Sequence, residues 1–247
     1  LKQLNILEHV VTINDDDKRR VITMDGQRYV FERKVYEFDI TDQEAIIQRN
    51  SDGKSVDPHQ RIACYIPGKM RGLEMFLYSG LPVGIKSTVP LIIDAPFELT
   101  TSRENILHNP WNNVVRNYLY SAILAIMQEK ADGDLDVLRY VGFRSQNNVI
   151  SWQNFDDDYL NNYNWISALR EARFLPVLGK EEKISVSNSR CVLIPEFIAR
   201  IQELFPITKF FKGTIIDMIG RSQYAPLLAA IGCEKVKGDE ILDCLKN

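Results

Sequence analysis

One stretch of the sequence constrains the fold more than any other, because it predicts a long helix with a single apolar face. Asn109-Pro110 supplies a capping residue and a proline suited to the first helical position, and Asp132-Gly133 ends the pattern. Since an apolar face must be buried, a helix over 110–130 is expected to lie on a sheet. The face that we expect to pack there is Trp111, Val115, Tyr118 and Ala122, within a helical repeat that also includes Val114, Leu119, Ile123 and Ile126.

The residues before this helix form short apolar and β-branched runs, several of which alternate with polar residues as strands do. These runs are 6–13, 19–24, 28–40, 61–66, 73–78 and 89–93, separated by turn-forming residues. Thr41 to Glu44 has the pattern of a capping box, which predicts a short helix capped by Thr41. Strands followed by a long helix predict an α+β fold with a mixed sheet.

The pattern changes near residue 131, where alternating runs become rarer and short helical segments more frequent. We therefore predict two domains, an α+β domain over 1–130 and a smaller α/β domain over 131–247. The second is expected to contain short strands in 174–178 and 184–194. Helices are predicted at 163–173, from Pro195 onward, and at 209–219, 224–231 and 239–245.

Composition excludes several classes of function. The 247 residues are 45% apolar with a formal net charge of −3, which indicates a soluble globular chain and argues against a nucleic-acid partner. No apolar run is long enough to span a membrane, and no secretory signal opens the chain, so the cytoplasm is the expected location. The four cysteines are widely spaced, which favours reduced thiols over a zinc site. Because the chain begins at Leu1, we expect it to be part of a longer protein.

Short motifs for catalysis and phosphate binding are missing from the sequence. There is no P-loop, dinucleotide fingerprint, nucleophile elbow or H-E-x-x-H pattern. His108 precedes a helix, yet a lone histidine there more often packs or faces solvent than acts as a base. The acidic run 156–158 lacks the glycine and distal glutamate of a calcium loop, so no metal site is expected. The chain is therefore not expected to be an enzyme on its own.

Arg103 stands out because it lies between a Thr-Thr-Ser run and the start of the long helix. A guanidinium is always charged and can hold two phosphate oxygens at once, so an arginine on such a turn is a candidate phosphate contact. Ser102 and Asn105 are expected to fix the turn through hydrogen bonds from side chain to backbone. The alternative is a surface arginine that pairs with Glu98 or Glu104.

The flanking residues resemble a segment of sacsin-like proteins, which carry an ATPase domain of the GHKL class shared with the ninety-kilodalton heat-shock chaperones. Residues 81–107 are similar to the segment that follows this ATPase domain, and LTTSRE over 99–104 resembles a phrase in the chaperones' next domain. Weaker similarity extends to Trp111-Asn112 and to 174–196. The positions that carry the resemblance are Leu81, Pro82, Pro90, Phe97, Leu99, Ser102, Arg103 and Ile106.

The resemblance implies that Arg103 reaches the γ-phosphate of ATP held by an upstream ATPase domain of the same protein, with Ser102 and Asn105 beside it. Leu107 stands where the chaperones place a glutamine, and Asp94 where sacsin-like chains often place an asparagine. The chain lacks the GHKL nucleotide site, so ATP and Mg are expected only in the full-length protein. The implied function is a middle, transducing segment of a chaperone-like ATPase that acts on client proteins. The alternative is a protein-interaction module with no link to a nucleotide.

Overall fold

A computed structural model describes twelve stretches of the chain, in two compact units, Leu1–Ala122 and Ile123–Asn247. The described residues are 2–6, 9–24, 26–54, 56–68, 76–86, 89–130, 137–141, 143–146, 149–152, 165–200, 211–220 and 222–246. The predicted domain boundary at residue 131 lies outside the described residues and stays a prediction. The acidic run at 156–158 lies outside them as well.

The first unit is built on an eight-stranded sheet with the order β1-β2-β3-β4-β5-β8-β6-β7. Its strands are β1 Lys2–Ile6, β2 His9–Asp15, β3 Arg19–Met24, β4 Gln27–Asp39, β5 His59–Pro67, β6 Phe76–Ser79, β7 Leu81–Lys86 and β8 Ile92–Asp94. Neighbouring strands are antiparallel except β6 and β8, which are parallel. Helix α1, Gln43–Ser51, follows β4, and helix α2, Pro110–Lys130, comes after β8. The predicted mixed sheet and the α+β class are confirmed.

The long helix α2 has the predicted bounds, Pro110–Lys130. Its start is capped by Asn109, whose side-chain oxygen accepts the Asn112 N–H at 2.8 Å. Val115 and Leu119 are fully buried, as the predicted register requires. Tyr118 is 38% exposed, so its place on the buried face is only partly correct. Its ring stacks on Phe38 of β4 with centroids 4.1 Å apart, which holds α2 against the sheet.

Strand β5 is covered on both sides, because every residue from Ile62 to Pro67 is buried. Its register with β4 places Ile62 and Cys64 on the sheet face that carries Phe38. The opposite face has its own cluster of Phe31, Ala63 and Tyr65, over which the Arg20 guanidinium carbon lies 4.2 Å from the Tyr65 ring centroid. A central strand with two apolar faces anchors the sheet.

Two sequence predictions for the first unit are corrected by the structure. Helix α1 is capped by Asp42, whose carboxylate accepts the Ala45 N–H at 2.8 Å, and not by Thr41. Aspartate is a strong cap, and with the cap at Asp42 the third helical position is Ala45, so Glu44 stands one residue too early for a capping box. The structure also contains β7, which was not predicted, and divides the predicted run 6–13 between β1 and β2.

The second unit contains small sheets and short helices. Its helices are α3 Trp165–Glu171, α4 Glu196–Arg200, α5 Ala225–Ala230 and α6 Gly238–Lys246, with 3-10 turns at Val137–Val141, Val186–Asn188 and Ser222–Tyr224. Its strands are β9 Phe143–Gln146, β10 Val149–Trp152, β11 Leu175–Pro176, β12 Lys183–Ile184, β13 Cys191–Leu193, β14 Thr214–Ile215 and β15 Glu234–Lys235. Strand β13 lies between β14 and β15 and is parallel to both. A buried cluster that includes Ile194, Ile198 and Ile215 packs beside this parallel sheet.

The predicted helix over 209–219 is wrong, because Thr214–Ile215 form β14. Gly213 has a φ of 125°, which a helix excludes, and the β-branched run that follows it favours an extended chain. The helices predicted from Pro195, at 224–231 and at 239–245 are confirmed where the structure describes them, as α4, α5 and α6. None of the helices in the described stretches has the length and apolar character needed to cross a membrane.

Candidate functional site

The candidate residues lie on a short hairpin that comes between β8 and α2. Glu98 and Leu107 form its base, where the Leu107 N–H donates to the Glu98 carbonyl at 2.9 Å, and Leu99 pairs with Ile106 above it. We call residues 98–107 the Arg103 hairpin. The predicted turn from strand to helix is therefore a hairpin that projects its tip before the chain enters α2.

The backbone of Arg103 is held in the left-handed region, with a φ of 59°. It is the single non-glycine residue with a positive φ among those that the structure describes. For a residue with a Cβ this conformation costs roughly 1–2 kcal/mol, whereas glycine adopts it freely. The position thus carries strain that a glycine would remove, which points to the side chain as the reason for an arginine.

The guanidinium of Arg103 binds backbone carbonyls through one of its three nitrogens. Nη2 donates to the carbonyl of Ser79 at 3.1 Å and to that of Leu81 at 3.3 Å. These carbonyls flank Gly80, the turn between β6 and β7, so Arg103 braces this turn. Within the stretches that the structure describes, Nε and Nη1 have no hydrogen-bond partner, and the residue is partly exposed. Arg103 is thus anchored at one nitrogen and able to bind an anion with the others.

Thr100, which sequence analysis did not single out, holds the tip of the hairpin. Its Oγ1 lies 3.3 Å from both the N–H and the carbonyl oxygen of Asn105, and 3.2 Å from Oγ of Ser102. Asn105 contributes its backbone, not its side chain, and Ser102 bonds another side chain, so the bonds predicted for them differ from those found. The structure does bring Ser102, Arg103 and Asn105 onto one tip. Thr100 could have been identified from the sequence, because its hydroxyl lies two residues before Ser102 and five before Asn105. At this spacing a threonine side chain can form local hydrogen bonds within a turn.

Glu98, at the base of the hairpin, is a buried carboxylate that binds three donors. Arg49 lies 3.1 Å from Oε1, while Lys54 at 3.0 Å and Asn109 Nδ2 at 2.8 Å contact Oε2. We call these four residues the Glu98 cluster. The hydrogen bond to Glu98 raises the pKa of Lys54 above its ordinary value. Because Arg49 and Lys54 occupy this carboxylate, the alternative in which Arg103 pairs with Glu98 is wrong.

Asn112 of α2 joins both strands of the hairpin base to the helix. Its buried Oδ1 accepts the Glu98 N–H, and its Nδ2 donates to the carbonyls of Glu98 and Leu107, each at 2.8 Å. One residue earlier, Trp111 Nε1 donates to the Pro96 carbonyl at 2.8 Å, and the Arg49 guanidinium carbon lies 3.9 Å from the centroid of its ring. These contacts hold the hairpin rigidly against the first turn of α2.

His59, the first residue of β5, contacts acidic residues at the surface. Its Nδ1 lies 3.0 Å from Oδ1 of Asp39, its Nε2 lies 3.9 Å from Glu37, and its N–H donates to Asp57 at 3.0 Å. The Asp39 hydrogen bond, aided by the nearby carboxylates, raises the pKa of His59 above 6.5. The ring is well exposed, which makes it a surface ion pair and not a poised base.

Proton NMR titration of the His59 ring is therefore expected to give a pKa above 6.5, and Asp39→Asn is expected to lower it. Because the folded state binds the His59 proton more tightly than the unfolded state does, the protonated ring makes its full contribution to the free energy of unfolding below its unfolded pKa. It is lost as pH rises through the higher folded pKa. A His59 pKa that is the same in both proteins would contradict the assigned contact.

The described residues contain no group of three or more histidine, cysteine or acidic side chains that is arranged to hold a metal ion. Comparison with known proteins finds no family model that matches the sequence and no significant match among curated proteins. The site must therefore be interpreted from its own geometry and from the motif that surrounds Arg103.

Proposed function

We propose that this chain is the middle, transducing segment of a sacsin-like, chaperone-type ATPase, in which Arg103 senses the γ-phosphate of ATP. The nucleotide and its Mg would be held by an upstream ATPase domain of the same protein, acting in the cytoplasm on client proteins. The LTTSRE phrase and the prolines before it support this proposal. Ser102 and Asn105 flank the sensing residue on the hairpin tip.

The single observation that carries the proposal is the strained backbone of Arg103, combined with a guanidinium that is only partly bound. A residue that served only to shape the turn would be a glycine, which tolerates a φ of 59° without cost. Strain of this kind persists where the surrounding structure enforces it, and it concentrates at binding and switch sites. Here Asn112 and the Glu98 cluster provide the rigid support.

The contacts of Nη2 supply the second state that a sensor requires. A ligand shifts a conformational equilibrium only if it binds the two states with different affinity. Without a γ-phosphate, Nη2 stays on the carbonyls of Ser79 and Leu81. To bind two phosphate oxygens through Nη2 and a second nitrogen, the guanidinium would have to break at least one of these two hydrogen bonds. The turn between β6 and β7 would then be released. The presence or absence of the γ-phosphate would in this way change the contacts at the edge of the sheet.

The second candidate is a protein-interaction module with no nucleotide link. It is favoured by the same two hydrogen bonds, because they already give Arg103 a structural role in bracing the turn that contains Gly80. The two candidates differ in what the loss of the guanidinium does to ATP turnover.

The test is steady-state ATP hydrolysis by the longer protein that includes an upstream nucleotide domain. Arg103→Ala is expected to lower turnover at least about tenfold, since an arginine that contacts the transferring phosphoryl group contributes that much or more. Arg103→Gly should lower it equally, because it relieves the backbone strain and removes only the side chain. Arg103→Lys should restore little, since an ammonium cannot make a two-pronged contact.

The matched control is Arg61→Ala, which removes an exposed arginine from β5 and leaves the hairpin intact. It should leave turnover unchanged, and circular dichroism should show every variant folded. Wild-type turnover in a folded Arg103→Ala variant would favour the interaction module. The transducer proposal would also be contradicted if calorimetry showed that the isolated chain binds ATP with micromolar affinity.

A further inference from the structure

Two cysteines of the second unit lie side by side at the start of neighbouring strands. Cys191 is the first residue of β13, and Cys233 directly precedes β15. The two strands are parallel, with Val192 opposite Glu234, so the register places the two cysteines opposite each other one position earlier. Facing residues of paired strands point to the same side of a sheet. Both cysteines are buried.

The backbone fixes this juxtaposition from both sides. The Cys233 N–H donates to the Leu228 carbonyl at 2.9 Å, which ties the residue to the end of α5. Gly232 reverses the chain before it with a φ of 109°, a conformation that other residues rarely adopt. The Val236 N–H donates to the Leu193 carbonyl at 3.0 Å beyond the pair. The two cysteines therefore approach each other because the fold holds them there.

The spacing suits a disulfide without movement of the backbone. Neighbouring strands lie about 4.8 Å apart, within the range of roughly 4.4–6.8 Å between the Cα atoms of bridged cysteines. Both thiols are free in the structure. Closing the bond requires no change of strand register.

The interaction between the two thiols also makes them unequal, because Cys233 lowers the pKa of Cys191, whereas Cys191, together with burial, raises the pKa of Cys233. Cys191 in turn lies 3.5 Å from the carbonyl of Ser189. Since the thiolate is the form that reacts with oxidants, Cys191 is the more reactive of the two.

We propose that Cys191 and Cys233 form a reversible dithiol–disulfide site that is oxidised by a peroxide. The Cys191 thiolate attacks one peroxide oxygen and breaks the O–O bond, which gives a sulfenic acid and, after protonation, one water. The Cys233 sulfur then attacks the Cys191 sulfur and displaces the hydroxyl as a second water. Overall, two thiols and one hydrogen peroxide give one disulfide and two waters, so the sulfurs lose the two electrons that the peroxide gains.

The experiment uses the full chain carrying Cys244→Ser, which leaves three thiols. After hydrogen peroxide treatment and removal of the excess, the denatured protein is titrated for free thiols and its peptides are mapped by mass. We expect the count to fall from three to one, with a linked Cys191–Cys233 peptide two hydrogens lighter, and dithiothreitol to restore three. The remaining thiol should be Cys64, because Lys34 and Ile93, and no second cysteine, lie opposite it on the neighbouring strands, and because burial raises its pKa to about 12.

Single substitutions assign the roles within the pair. In Cys233→Ser no reversible link should form, and dimedone, which traps sulfenic acids, should label Cys191. In Cys191→Ser the label on Cys233 should be several-fold weaker under the same conditions. A Cys64→Ser variant should form the same link as its parent. Three thiols retained after a treatment that fully oxidises free dithiothreitol in a parallel sample, or a link that instead involves Cys64, would overturn the proposal.

Discussion

Glu98→Ala is expected to lower the free energy of unfolding of the first unit by about 3 kcal/mol, the low end for breaking a buried ion pair. Removing the carboxylate leaves Arg49, Lys54 and the Asn109 amide without their common acceptor. The side chains of Arg49 and Lys54 are 22% and 40% exposed, so both regain some hydration, which keeps the loss from being larger. Glu98→Gln retains a weaker acceptor, so its free energy of unfolding should lie between those of the parent protein and of Glu98→Ala.

The measurement is urea unfolding followed by the fluorescence of Trp111, in a protein where Trp152→Phe and Trp165→Phe remove the other two tryptophans. Trp111 is buried in the first unit, so its emission reports that unit. The matched control is Glu104→Ala at the exposed tip of the same hairpin, which should change stability by less than about 0.5 kcal/mol. Equal losses for Glu98→Ala and Glu104→Ala would contradict the central role of the Glu98 cluster.

A double-mutant cycle separates the ion pair from the packing around it. Arg49→Met keeps an apolar stem over the Trp111 ring and removes the charge that binds Glu98. If Arg49 and Glu98 are coupled as the distances indicate, Glu98→Gln should lower the free energy of unfolding less in the Arg49→Met protein than in the parent. Equal losses in the two proteins would mean that Glu98 stabilises the unit through its backbone contacts with Asn112.

The long helix was predictable because all of its signals are local. Asn109 and Pro110 mark its start, and the helical repeat from Trp111 onward marks the buried face. Tyr118 is the exception, because its ring lies at the border of that face and covers Phe38 instead of entering the core. Capping residues and periodicity identify a helix, whereas the exact edge of its buried face depends on its neighbours.

Strand β7 could not be predicted, because its sequence contains Pro82 and Gly84, which normally interrupt strands. It forms the last strand of the sheet, where a proline need not donate to a neighbouring strand. The order of the sheet was equally hidden. Of the eight strands of this sheet, β8 is the last along the chain, yet it lies between β5 and β6. No local pattern encodes that insertion.

The candidate site was predictable only in part, for the same reason. Arg103 is visible because a recognisable phrase surrounds it. The Glu98 cluster is not, because Arg49 and Lys54 lie 49 and 44 residues away from Glu98 in sequence. Each of these residues alone is typical of a solvent-exposed charge. Only the fold reveals that they meet at the base of the Arg103 hairpin and give it a rigid foundation.

Gly213→Ala is expected to destabilise the second unit by roughly 3 kcal/mol or more, because it combines backbone strain with a steric clash. Its φ of 125° lies where residues with a Cβ are rarely found. A Cβ at this position would also lie 2.6 Å from the carbonyl oxygen of Arg190 and 2.8 Å from Cγ2 of Val192. That carbonyl accepts the Thr214 N–H at 2.8 Å, so relief of the clash would pull β14 away from β13.

The matched control for this substitution is Gly220→Ala. Gly220 also has a positive φ, 71°, but a Cβ there would meet no atom within 4 Å, so only strain of about 1–2 kcal/mol is expected. Urea unfolding measures both losses, and amide hydrogen exchange at Ile216, whose N–H donates to Val192, reports the pairing of β13 with β14. Exchange there should accelerate markedly in Gly213→Ala and little in Gly220→Ala. Equal losses in the two variants would mean that strain alone, and not the close approach of two strands, requires glycine at position 213.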